Sequence, residues 1–206
     1  MAAIIMTLAL MTMFQLGYAS NKGPNIVAAR CDSTPDIDLT ETVNAYLRRI
    51  PDTIPIAGAK AKTWIMGFKT SAPEVTGLGS LWAYKPPYVF CSDNRTFVEV
   101  EAFIAEPLRI QADWKSCTGS RGKLGTTVSN ARLLLYFAFG PTHDGTHGVQ
   151  LYNISPESLE DARVFVEGID RSLNSVMEGL NIVFMPHLHL FWNRFIRVGA
   201  HHIITR

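Results

Sequence analysis

The chain is short of charge. Charged residues are 18% of its 206 positions, and 19 Lys plus Arg nearly cancel 18 Asp plus Glu to leave +1. A protein built to wrap nucleic acid needs a basic excess, so a broad nucleic-acid surface is excluded. Cysteine is scarce as well: three residues cannot make a disulfide-dense mini-scaffold. Beyond the N-terminus no apolar run is long enough to span a bilayer. The motifs of nucleophilic catalysis are missing too. Gly77-Leu78-Gly79-Ser80 lacks the Gly-x-Ser-x-Gly spacing. Gly119-Ser120-Arg121-Gly122 reads as a turn and not as a phosphate loop. Glu99 and Glu101 share the solvated face of one strand, so no acid/base pair emerges and the expectation is a non-enzyme without a cofactor.

What is present is apolar. Hydrophobic residues are 47% of the chain, enough to build a core. The first segment, Ala2 to Phe14, carries no charge and is followed by small residues at Gly17 and Ala19. That pattern predicts a signal peptide over residues 1–19 and hence a secreted, extracellular protein. Residues 20–35, with Pro24 and Pro35, read as a flexible lead-in, and 36–206 as a single domain. A secretory route permits disulfides and N-glycans. Cys91 and Cys117 each stand where a strand-like run meets a turn, which predicts that they pair and that Cys31 is left over. Asn94 opens a sequon in a turn and is the expected glycosylation site, whereas the sequon at Asn153 is followed by Pro156.

Asp38-Leu39-Thr40-Glu41 resembles a capping box, and Leu39, Val43, Tyr46, Leu47 and Ile50 then mark one face of a helix that Pro51 ends. The middle of the chain alternates instead. In Phe97 to Ala105, Val98, Val100, Ala102 and Ile104 share one face against Glu99 and Glu101, a half-buried strand pattern. Leu108 to Trp114 and Thr126 to Phe139 continue it, punctuated by Gly and Asn too closely for crossover helices, so the sheet should be antiparallel. Residues 140–150 read as a loop. From Pro156 on, Leu159, Ala162, Val166, Ile169, Leu173, Val176, Leu180 and Val183 recur every three or four positions. This spacing predicts a helix of about 30 residues, or about 45 Å, that Pro186 breaks or kinks. A second segment, Leu188 to Ile204, follows. The fold class expected is α+β: a curved antiparallel sheet wrapped around a long C-terminal helix.

Six His residues raise the question of a metal site. His143, Asp144 and His147 lie in a Gly-rich loop, His187 and His189 two apart, and His201 and His202 at the end. Zinc needs three or four convergent ligands, so solvated loop and surface positions are expected and no metal is assigned. The C-terminal segment has no acidic residue after Glu178 and combines Arg194, Arg197 and Arg206 with Phe191, Trp192 and Phe195. Such a basic amphipathic stretch can lie on a lipid surface.

The order of helix, Gly-Leu after a short strand (Val75-Thr76-Gly77-Leu78), strand meander and long C-terminal helix resembles one module of the tubular lipid-binding superfamily. That superfamily includes bactericidal/permeability-increasing protein, takeout and juvenile-hormone-binding proteins, and the group 7 mite allergens. The resemblance implies a super-roll holding an apolar ligand, a lipid or similar molecule, between sheet and helix. The expected lining is Val98, Val100, Ala102, Ile104, Leu133, Leu135 and Phe137 from the sheet, with Val166, Ile169, Leu173 and Val176 from the helix. Two alternatives stand beside this carrier: a protein that binds membranes or microbial lipid through the basic C-terminal segment, and a lipocalin-type barrel, which would leave the long helical seam unexplained.

Overall fold

The computed structural model describes residues 31, 38–64, 67–92, 95–141, 147–169 and 171–205. The predicted signal peptide, most of the lead-in, Asn94, His143 and Asp144 lie outside the described residues. The first element among the described residues is helix α1, Leu39–Leu47. Asp38 caps it: its Oδ1 accepts a hydrogen bond from the Glu41 backbone N–H at 3.0 Å, as the capping pattern requires. Among the described residues ten strands follow: β1 Thr53–Pro55, β2 Lys62–Thr63, β3 Lys69–Thr70, β4 Glu74–Thr76, β5 Leu81–Ala83, β6 Tyr88–Ser92, β7 Arg95–Ile104, β8 Leu108–Lys115, β9 Arg121–Pro141 and β10 His147–Val166. They form one antiparallel sheet, open and curved. The C-terminal helix α2, Arg171–Arg194, passes through a π-helical stretch, Phe195–Ala200, into the short α3, His201–Ile204.

Strand β9 is the spine. One of its edges pairs with β10, and the other is shared by β7, opposite Arg132–Phe139, and β8, opposite Arg121–Val128. β7 and β8 are thus two halves of one interrupted strand, broken at Pro107, which cannot donate to a ladder. The neighbouring strands break rhythm at the same level. Val128 and Ala131 on β9 are both buried although three apart, and opposite them Ala162 is buried and Leu159 packs on the core. Asp161, between these two, takes φ 57° and is held by Ser129 and Arg163. Three adjacent strands bend along one line, and this is where the sheet curls.

The bend explains a correction. The segment from Pro156 to Val166 is strand and not helix, with Pro156 at a register shift opposite Leu133. The three-residue step from Leu159 to Ala162 is the phase slip at Asp161, and it mimics a helical period. Beyond it Ala162, Val164 and Val166 alternate as a strand should. His147–Gln150, expected in a loop, also belong to β10. The helix begins only at Arg171, and Pro186 lies inside it. Pro186 and Ile182, whose carbonyl would have bonded the missing N–H, are both exposed, so solvent can serve that carbonyl.

The helix seats itself with Leu188, Trp192, Ile196 and Ala200, all fully buried. A repeat of four drifts about 40° per step on an α-helix. The π-helical stretch winds more loosely and offsets that drift, keeping Ile196 and Ala200 on the sheet. Trp192 donates from Nε1 to Thr126 Oγ1 of β9 at 3.0 Å in a buried setting. At the other end the Asn181 side chain accepts from the Val164 N–H at 2.6 Å and donates to the Val164 carbonyl at 3.1 Å. It thereby satisfies part of the free edge of β10.

The cysteine pairing also differs from expectation. Cys31 bonds Cys91, and Cys117 is free and exposed. The turn positions of Cys91 and Cys117 do not bring them together: Cys91 lies near the end of β6 on one half of the sheet, while Cys117 follows β8 at the far tip of the other. The disulfide ties the segment before α1 to the sheet.

Candidate functional site

The inner face of β7 and β9 is built by register. Val98 lies opposite Phe137, Val100 opposite Leu135 and Ala102 opposite Leu133, so all six point to one side. β10 extends the rows with Leu151, Ile154 and Pro156. Val98, Val100, Ala102, Leu133, Leu135 and Phe137 are at most 1% exposed, and Ile104 packs on them partly buried. From above, α1 contributes Val43, Leu47 and Tyr46, whose ring meets Phe137 edge-on at 5.1 Å. Burial pushes the Tyr46 phenol up from its ordinary range. The C-terminal helix adds Leu188, Trp192, Ile196 and Ala200, with Phe184, Phe191 and Phe195 partly buried beside them.

The sheet residues expected to line a site therefore converge in one apolar layer. Of the expected helical ones, Val166 and Ile169 do not join them. Val166 is on strand β10 and Ile169 in the turn after it. Both pack on a second cluster, at the sheet tip, with Phe68, Trp114, Leu124 and Trp64. Leu173 and Val176 are on the early turns of α2. The residues missed from the sequence are Leu188, Trp192, Ile196 and Ala200. Their four-residue period was visible, but the shift of the helix start by some 15 residues hid its meaning.

The helix also carries apolar side chains that none of the described residues covers: Ile182 is 76% exposed, Met185 45% and Leu190 70%. On the opposite face of the sheet, Lys85 and Arg132 hold Glu101 at 2.6 and 2.5 Å, and Arg132 reaches Glu157 at 2.9 Å. The hydrogen bond from Lys85, then that from Arg132, draws the Glu101 carboxyl below its usual range. Among the described residues no three His, Cys, Asp or Glu side chains cluster to hold a metal ion. His187 and His202 are exposed, and His189 and His201 half-buried. Among the described residues, no helix is long and apolar enough to cross a membrane.

No protein-family model and no curated protein matches the sequence. Two solved structures align with it. Takeout 1 of Epiphyas postvittana, at 10% identity and a TM-score of 0.39, aligns over 82% of this chain and 94% of its own. A lipopolysaccharide binding protein, at 11% identity and a TM-score of 0.34, aligns over 82% of this chain and 38% of its own.

Proposed function

We propose that this is a secreted, non-enzymatic protein that binds a lipid or another apolar molecule between the inner face of the sheet and the C-terminal helix. The observation that supports it most is the covering of that face. An apolar layer runs along β9, and among the described helix side chains the fully buried ones are Leu188, Trp192, Ile196 and Ala200. Ile182 and Met185, one to two turns before them, stay exposed. Exposed large apolar groups next to an apolar layer favour an apolar partner, at about 25 cal/mol for each Å² removed from water. The proposed lining is the β7 and β9 set with Leu173 and Val176. The reading rests on this layer and not on the two similar folds.

The test is a titration with an apolar fluorescent probe such as N-phenylnaphthylamine. Saturable uptake that Leu133→Trp weakens supports the site. A probe that never binds, with Leu133→Trp merely lowering the melting temperature, leaves a closed core and refutes it. A second reading, binding to a membrane surface, is favoured by Leu190 and Arg197 both being exposed on the C-terminal helix. Sedimentation with vesicles that Leu190→Ser together with Arg197→Ala abolishes would select it.

A further inference from the structure

At the tip of the sheet farthest from the β7 half, β2, β3 and the β8–β9 hairpin frame an open cavity of about 620 Å³. Five cations line it, Lys62, Lys69, Lys115, Arg121 and Lys123, against one carboxylate, Asp113. In a chain whose charges almost cancel, that local excess is unusual. Its placement is more telling. Lys69 lies directly opposite Lys115 on the neighbouring strand, and Lys115 directly opposite Arg121 on the next. Three positive side chains therefore stand in one row on one face, at the ~4.8 Å spacing of adjacent strands. Like charges directly opposite each other destabilise a sheet. Among the described residues none of the five is in an ion pair, although Asp113 lies across from Lys123.

The floor beneath is rigid. Trp114 stacks on Phe68 at 5.7 Å and donates from Nε1 to the Glu167 carbonyl at 3.0 Å, while the Trp64 indole donates to Thr70 Oγ1 at 3.2 Å. Thr63, directly opposite Lys69, places a hydroxyl at the rim on the face of the cationic row. A repulsive row on a fixed platform, with the Thr63 hydroxyl beside it, is complementary to a compact multivalent oxyanion, whose bonds to cations are charge-assisted.

We propose that this tip is a binding site for a phosphate- or sulfate-bearing group, separate from the apolar layer and independent of whether that layer holds a ligand. The full chain is titrated with inorganic pyrophosphate at low ionic strength. In parallel it is sedimented with phosphatidylcholine vesicles made with and without phosphatidic acid. The expected result is pyrophosphate binding that weakens at least about tenfold in Lys115→Gln/Arg121→Gln, since two charge-assisted contacts go. Lys60→Gln, outside the cavity, is expected to bind as the unmodified chain does. If the tip serves lipid headgroups, phosphatidic acid vesicles bind, the double variant loses them and Arg197→Ala keeps them. If it serves free anions, pyrophosphate alone binds. Should the double variant fail to fold, protection of Lys69 and Lys115 from amine acetylation by pyrophosphate in the unmodified chain decides. Absence of both binding and protection, or a folded double variant that binds as the unmodified chain does, overturns the proposal.

Discussion

The hydrogen bond between Trp192 and Thr126 joins the C-terminal helix to the strand that organises the sheet, so it can be tested as a pair. Both groups are buried, with Trp192 fully enclosed and Thr126 at 5% exposure, and the Nε1 to Oγ1 distance is 3.0 Å. Thr126→Val keeps the shape but strands the indole N–H in an apolar layer, a loss of about 1–3 kcal/mol. For a chain of this length that is a fall in melting temperature of roughly 2–12 °C. Trp192→Phe removes the donor and also part of a ring that packs on Phe195 at 5.6 Å, so it costs at least as much through the void it leaves. Once either partner is gone, removing the other frees a group that no longer has a bond to lose. The double variant should therefore be more stable than the sum of the two losses predicts, by about 0.5–1.5 kcal/mol. Urea unfolding followed by far-ultraviolet circular dichroism measures all four species. Additive losses would mean that the helix does not dock on Thr126, and the seating of the whole C-terminal segment would have to be redrawn.

Other outcomes follow from single features. Non-reducing peptide mapping should find Cys31 linked to Cys91, with Cys117 alkylated in the native protein; a Cys91–Cys117 peptide would contradict the fold of both halves. Gly125→Ala should cost about 2–4 kcal/mol or prevent folding, because an added Cβ would meet the Ile110 carbonyl oxygen of β8 at 2.0 Å; an unchanged unfolding midpoint would refute the pairing. The folded Glu101 carboxyl titrates below its unfolded range, so its stabilisation is present at neutral pH. It is lost as pH falls from the ordinary carboxylate range through the lowered folded one. Glu101→Gln should flatten the acid limb of the stability curve, and an unaltered limb would show that the Lys85 and Arg132 contacts contribute nothing.

What could be read from the sequence depended on whether local pattern and tertiary role coincided. In Phe97 to Ala105 they did: strict alternation places Val98, Val100 and Ala102 inside and Glu99 and Glu101 outside, where the register puts them. Asp38 likewise announced its helix, since a cap needs only its own neighbours. The segment after Pro156 deceived because a strand with a phase slip at Asp161 repeats its buried residues at three, and a Pro suited to the first turn of a helix also suits a bulge. The helix itself is legible in the last third of the sequence, but its docking face is not. That face depends on the sheet's curvature and on a π-helical stretch that no local motif marks. The cysteine pairing failed for a similar reason, because turn context says nothing about which end of a folded sheet a residue reaches. The cationic row at the tip was invisible in sequence, since Lys69, Lys115 and Arg121 meet only through strand pairing.

The central claim, that the layer beneath the C-terminal helix takes up an apolar molecule, is tested most directly by native mass spectrometry of the protein secreted from a eukaryotic host. The account predicts a folded species heavier than its polypeptide and any glycans, with the excess removed by organic extraction and restored by an added lipid. A folded species at the bare mass, which stays there after incubation with a panel of lipids and fatty acids, would contradict it.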